Sequence, residues 1–193
     1  MADPRLSPTA EQPVFYYELA SPSSYLVAEQ IMSALAVAPE WEPIRASEPE
    51  FDPHAIEREA AALGIQPIRW PARWPPDSEF AMLAATYAKR IGRAVAFSLA
   101  AFRQAFAGGR DLGDQDTVLI AAAACEMHPA ALLKGVKLRS VADALDAADA
   151  RARSAGVSAV PAIQVGAEVF AGAGAISRAA RALEVRRSPE VRR

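Results

Sequence analysis

The chain is poor in the residues that most chemistry relies on. It has a single cysteine, Cys125, so no intramolecular disulfide and no dithiol pair can form. Cys125 ends the alanine-rich run Leu119-Ile120-Ala121-Ala122-Ala123-Ala124, where a thiol reads as a small buried hydrophobe, and a cytosolic home is expected. The two histidines, His54 and His128, lack metal-ligand spacing to each other or to cysteine, so no metal site is expected and no Ser-His-Asp pattern can be drawn. The net charge of −2 argues against nucleic-acid or anionic-membrane partners. No apolar run nears the ~20 residues of a membrane span, and Met1 to Pro8 has no apolar segment of a secretory signal. The arginines of Arg186 to Arg193 read as a solvated basic tail.

What is present is apolar bulk. Of 193 residues 52% are hydrophobic, with mean hydropathy near zero, enough for one packed domain or one domain with an insertion. A strand is expected at 14–19, a helix at 22–36 and a second strand at 42–45, where Pro43 suits an edge or a strand start. A short helix near 55–63 can close on Gly64, and the proline-rich stretch Pro67 to Pro76 should be extended. Helices are expected at 79–91, 93–107, 115–126, 129–138 and 140–154. A β-hairpin over 161–170 and a closing helix near 174–186 complete the chain. Strand-helix-strand, a helical block, then hairpin-helix is the pattern of an α/β sheet domain interrupted by a helical insertion.

Two junctions carry the chemistry. Ser21-Pro22-Ser23-Ser24 follows the strand Val14 to Leu19, with Ser21 placed to cap the next helix and Pro22 in its first position. An anion, a thiolate or carboxylate, is favoured beside such a terminus, although the junction alone equally fits a plain cap. The second junction, Gly156-Val157-Ser158-Ala159-Val160-Pro161, leads into the hairpin. A proline there needs a positional reason, and a cis Val160–Pro161 bond packed near the Ser21-Pro22 turn would supply one.

Together these segments resemble the branch of the thioredoxin superfamily that holds DsbA-like proteins, kappa-class glutathione transferases and 2-hydroxychromene-2-carboxylate isomerases. The resemblance rests on Phe15 to Leu26, Arg69-Trp70-Pro71 to Ser78, Gly92 to Phe97 and Gly156 to Phe170, and spans roughly 13–185. It is strongest to the isomerase-like group, which carries S-P-x-S-Y-L where redox relatives carry C-x-x-C. It implies an α/β, thioredoxin-like fold with an inserted all-helical domain: 13–74 and 155–187 form the thioredoxin-like part, 75–154 the insertion, and 1–12 and 188–193 flexible termini.

The resemblance also implies a glutathione-dependent isomerase acting on a small aromatic or unsaturated acid, with Ser21 stabilising the glutathione thiolate. Ser24, Val160, Pro161 and Gly172 would bind glutathione; Tyr25, Trp70, Trp74 and Asp77 would border the substrate. A kappa-class-like transferase, or a DsbA-like protein that binds a small molecule or peptide without catalysis, are the alternatives, and a homodimer is left open. Serines at 21 and 24 exclude thiol–disulfide exchange at this motif. Two departures stand out. Relatives often read F-W-G-x-D-R or F-G-S-D-R after the hairpin, where the acidic residue helps hold the γ-glutamyl end; this chain reads Phe170-Ala171-Gly172-Ala173-Gly174-Ala175, with no acid, arginine or tryptophan. Asp77 stands where asparagine is common. The residues alone also allow Trp70 and Trp74 to be staples for the proline-rich segment, and Arg69 and Arg73 to be solvated rather than ligands for a carboxylate.

Overall fold

The computed structural model describes residues 12–46 and 50–187. The expected flexible termini lie outside the described residues, apart from Gln12. Four strands, β1 (Val14–Tyr17), β2 (Glu40–Pro43), β3 (Ala162–Val165) and β4 (Glu168–Ala171), form one sheet in the order β2-β1-β3-β4. β1 pairs parallel with β2 and antiparallel with β3, and β3 turns antiparallel into β4. β2 starts two residues earlier than expected because its register sets Glu40 opposite Val14 and Pro43 opposite Tyr17. It is the edge strand, so the donor Pro43 lacks is not needed by a further neighbour.

Side-chain alternation along β1 builds two cores. Phe15 and Tyr17 point into the larger one with Trp41, Ile163 and Val165, while Tyr16 enters the smaller one with Ala162 and Val160. The larger core is closed by α1 (Pro22–Ala34), α3 (Glu79–Arg90), α4 (Ala94–Phe106), α5 (Gln115–Ala124) and α8 (Ala175–Arg187); α7 (Arg139–Ser154) covers the smaller. The helical block therefore shares both cores with the sheet. Two short helices, α2 (Pro53–Ala62) and α6 (Pro129–Gly135), complete the set.

Local chemistry sets where these helices begin. α1, α2 and α6 each open on a capping side chain followed by proline: Ser21-Pro22, Asp52-Pro53 and His128-Pro129. α2 thus begins at Pro53, before the alanine where periodicity suggested it. Gly64 ends α2 at φ +67°, with the Ile65 N–H donating to the Ala60 carbonyl, a left-handed cap that glycine adopts without strain. No helix among the described residues is long and apolar enough to cross a membrane.

Candidate functional site

The helix α1 starts at the carboxyl end of β1, and two cavities meet there. The first, of about 550 Å³, is bordered by Glu18, Ser21, Arg45, Phe51, Trp74 and Ser78, among others. The second, of about 390 Å³, runs along α1 from Ser23 to Gln30 and ends on Val160-Pro161 and the Ala171–Ser177 segment, with Glu50 and Glu59 on its rim. Phe51 borders both.

Ser21 is the N-cap of α1 and 2% exposed. The Ser24 N–H donates to Ser21 Oγ at 2.9 Å, so the oxygen is engaged as a cap while the hydroxyl proton remains to be donated. The Ser21 N–H in turn donates to the Glu18 carbonyl, tying the helix start to the end of β1. Val160–Pro161 is cis, as is Trp74–Pro75. The structure brings Pro161 into the α1 cavity with Ser23, while Ser21 faces the neighbouring one.

The remaining expected site residues divide. Trp74 borders the Ser21 cavity; Trp70 borders neither cavity but packs edge-to-face on Trp74 at 5.8 Å and donates its indole N–H to Glu57 at 2.7 Å. That bond and His54 hold the Glu57 carboxyl below its ordinary range. Tyr25 is not a cavity wall. It is 1% exposed, stacked on Phe106 at 5.4 Å, and burial, reinforced by Glu29, pushes its phenol up to about 12. Ser24 is fully buried and borders neither cavity, and its Oγ has no hydrogen-bond partner among the described residues. Asp77 is exposed and accepts the Glu79 N–H at 3.3 Å, which makes it a cap for α3 rather than a wall.

Gly172 and Gly174, at φ +70° and +71°, shape the loop that ends the α1 cavity. The loop is held by Arg178, whose guanidinium donates to the Ala173 and Ala171 carbonyls at 2.6 and 2.7 Å. Sequence reasoning found no arginine in that loop; it comes instead from the first turn of α8. Glu18 was also missed. It is 9% exposed, borders the same cavity as Ser21, and accepts the Ala20 N–H at 2.7 Å. Its signal was an acidic residue closing an otherwise apolar strand three positions before the serine.

Among the described residues no cysteine lines either cavity. Cys125 caps the C-terminus of α5, and burial pushes its thiol up. Among the described residues no group of three or more His, Cys, Asp or Glu could hold a metal ion.

A four-stranded mixed sheet, a helix starting at the carboxyl end of its first strand, and a proline loop beside that start define a thioredoxin-like protein with a helical block added. The chain belongs to the DSBA-like thioredoxin domain family, which it matches over residues 14–184. Its fold is similar to a 2-hydroxychromene-2-carboxylate isomerase at a TM-score of 0.75 and 17% identity, covering 91% of this chain and 99% of that one. A probable DsbA oxidoreductase from Streptomyces coelicolor is similar at the same TM-score and identity, covering 93% and 92%. The cytosolic disulfide reductase DsbM from Pseudomonas aeruginosa, in a structure with GSH, follows at a TM-score of 0.67 and 13% identity, covering 91% and 98%. No curated protein matches the sequence.

Proposed function

We propose that the protein is a cytosolic, glutathione-dependent isomerase of an unsaturated aromatic compound, with Ser21 stabilising the glutathione thiolate. One observation carries the reading. The Ser21 hydroxyl sits at the N-terminus of a 13-residue helix on a cavity wall, its oxygen already committed to Ser24 N–H. What it has left to offer is a proton, directed by a helix dipole that favours an anion. We therefore take Ser21 as a donor to an anion rather than as a nucleophile.

The α1 cavity fits the tripeptide in kind. Val160 brings backbone for strand-like pairing, the first turn of α8 brings N–H groups suited to a carboxylate, and Glu50 and Glu59 suit an ammonium. Bound there, glutathione supplies a thiolate able to add reversibly to a conjugated double bond. The chain's own part is to stabilise that anion at Ser21 and to hold an aromatic ring against Phe51 and Trp74.

Calorimetric titration with glutathione, joined to the ultraviolet absorbance of the bound thiolate, tests the reading. Binding to the wild type is expected, with Ser21→Ala lowering the thiolate fraction and reducing turnover about a hundredfold. No binding would overturn it. A binding protein without catalysis would then lead, a reading that Glu18 favours because its carboxylate opposes a thiolate in the same cavity.

A further inference from the structure

The cavity beside Ser21 has a charge that does not suit an acid. Among the described residues Arg45 is the cation that lines it, and its guanidinium is ion-paired. Nε meets Asp149 at 3.0 Å, Nη1 meets Glu79 at 3.5 Å, and Nη2 meets Asp146. One positive charge set against three carboxylates leaves that cluster negative. Asp149 also receives the Arg45 backbone N–H at 2.8 Å, so both the main chain and the side chain of Arg45 are tied to α7. Glu18 adds a nearly buried carboxylate on the same wall. Arg73, next to Trp74 in the chain, is exposed and borders neither cavity.

The same cavity is also lined by aromatic rings. Trp74 and Phe51 meet edge-to-face at 6.5 Å and 83°, both half-buried, leaving ring surface toward the space that Glu18 and Ser21 border. Ring faces and a low-exposure carboxylate attract the same kind of group, a cation, and disfavour an anion.

We infer that the Ser21 cavity takes an aromatic, conjugated substrate bearing a cationic group, and that it discriminates against the carboxylic acids which the family resemblance implies. Glu18 is the residue that sets this preference. The inference rests on the proposed function only in taking this cavity as the substrate site; it does not require glutathione.

Three probes that share a 3-phenylpropenyl skeleton test it, each titrated into the full chain without glutathione and followed by quenching of tryptophan fluorescence: 3-phenylpropenoate, 3-phenylpropenamide and 3-phenylpropenyl-ammonium. The ammonium is expected to bind at least tenfold more tightly than the carboxylate, with the amide between them. In Glu18→Gln the lead of the cation over the amide should shrink several-fold while the amide is unchanged, and Trp74→Ala should weaken all three. Equal affinities, a carboxylate that binds as tightly as the amide, or no binding of any probe would overturn the inference. An unchanged cation preference in a Glu18→Gln variant with a native circular-dichroism spectrum would overturn the role of Glu18. The wild-type series stands even if that variant does not fold. A failed glutathione titration beside an intact probe order would sink the proposed function alone.

Discussion

One row of rings runs through the molecule, and its two ends do different work. At the inner end Phe15, Tyr17, Tyr25, Phe102 and Phe106 are at most 1% exposed and touch ring to ring, from 5.4 Å for Tyr25–Phe106 to 6.4 Å for Phe102–Phe106. At the outer end Trp70, Trp74 and Phe51 continue the row from Phe106 but are only half-buried. The inner rings lie between the sheet and the helices and define the core. The outer rings have polar company, Trp70 on Glu57 and Trp74 in a cavity with Glu18 and Ser21. The same side-chain chemistry becomes structure or site according to what covers it.

Phe106 is where the two ends join, so its loss should have the largest effect. Phe106→Ala, at a fully buried position, is expected to cost about 3–5 kcal/mol of unfolding free energy, measured by urea titration, and to unsettle the Trp74 wall as well. Trp74→Ala should separate the two ends, costing about 1–2 kcal/mol while it weakens aromatic binding at the cavity. A stability loss as large as that of Phe106→Ala would show that the outer rings are core after all.

Restoring the missing acid after the hairpin sharpens the role of the second cavity. Gly174 cannot carry it, because its φ of +71° strains any side chain and its added Cβ would come within 3.3 Å of the Arg178 guanidinium. Ala173→Asp, at an exposed neighbour, is expected to tighten glutathione about tenfold by calorimetry. Unchanged affinity would show that this loop does not touch the tripeptide. Ser24→Ala should be neutral or stabilise by about 1 kcal/mol in urea unfolding, because it removes a buried hydroxyl with no partner among the described residues. A marked loss of glutathione binding in that variant would return Ser24 to the site.

The smallest effect lies in the anchor of Trp70. The Glu57 carboxyl is held low in the folded chain by the indole N–H and His54, so the unfolded chain takes up the proton first. The stability that Glu57 contributes is present above the ordinary carboxylate range, from its reference of 4.5, and is lost as pH falls through the lowered folded value. Urea midpoints of wild type and Glu57→Gln should therefore converge on acidification below that reference. Parallel curves would mean the Trp70–Glu57 bond adds nothing.

Much of this arrangement was legible in the residues. Ser21-Pro22 marked the start of α1 because a capping hydroxyl and a fixed φ act within one turn, and Gly64 marked the end of α2 for the same local reason. The alternation of Phe15, Tyr16 and Tyr17 between two cores also follows from strand geometry alone. Tyr25 and Asp77 were misplaced because motif adjacency says nothing about rotation about a helix axis or about which N–H a carboxylate finds nearest. Arg45 was passed over because its partners lie far away in the chain, and Glu18 and Arg178 because only the fold sets them at a cavity and against a loop. Asp146 and Asp149 bind Arg45 from about a hundred residues further on, and only the packing of α7 against β2 brings them there. The helix caps, the strand faces and the serine at a helix start follow from local residue order, since each is set by neighbours within a few bonds. Which rings became walls and which carboxylates line the cavity came from packing, because those depend on desolvation and distance across the packed elements.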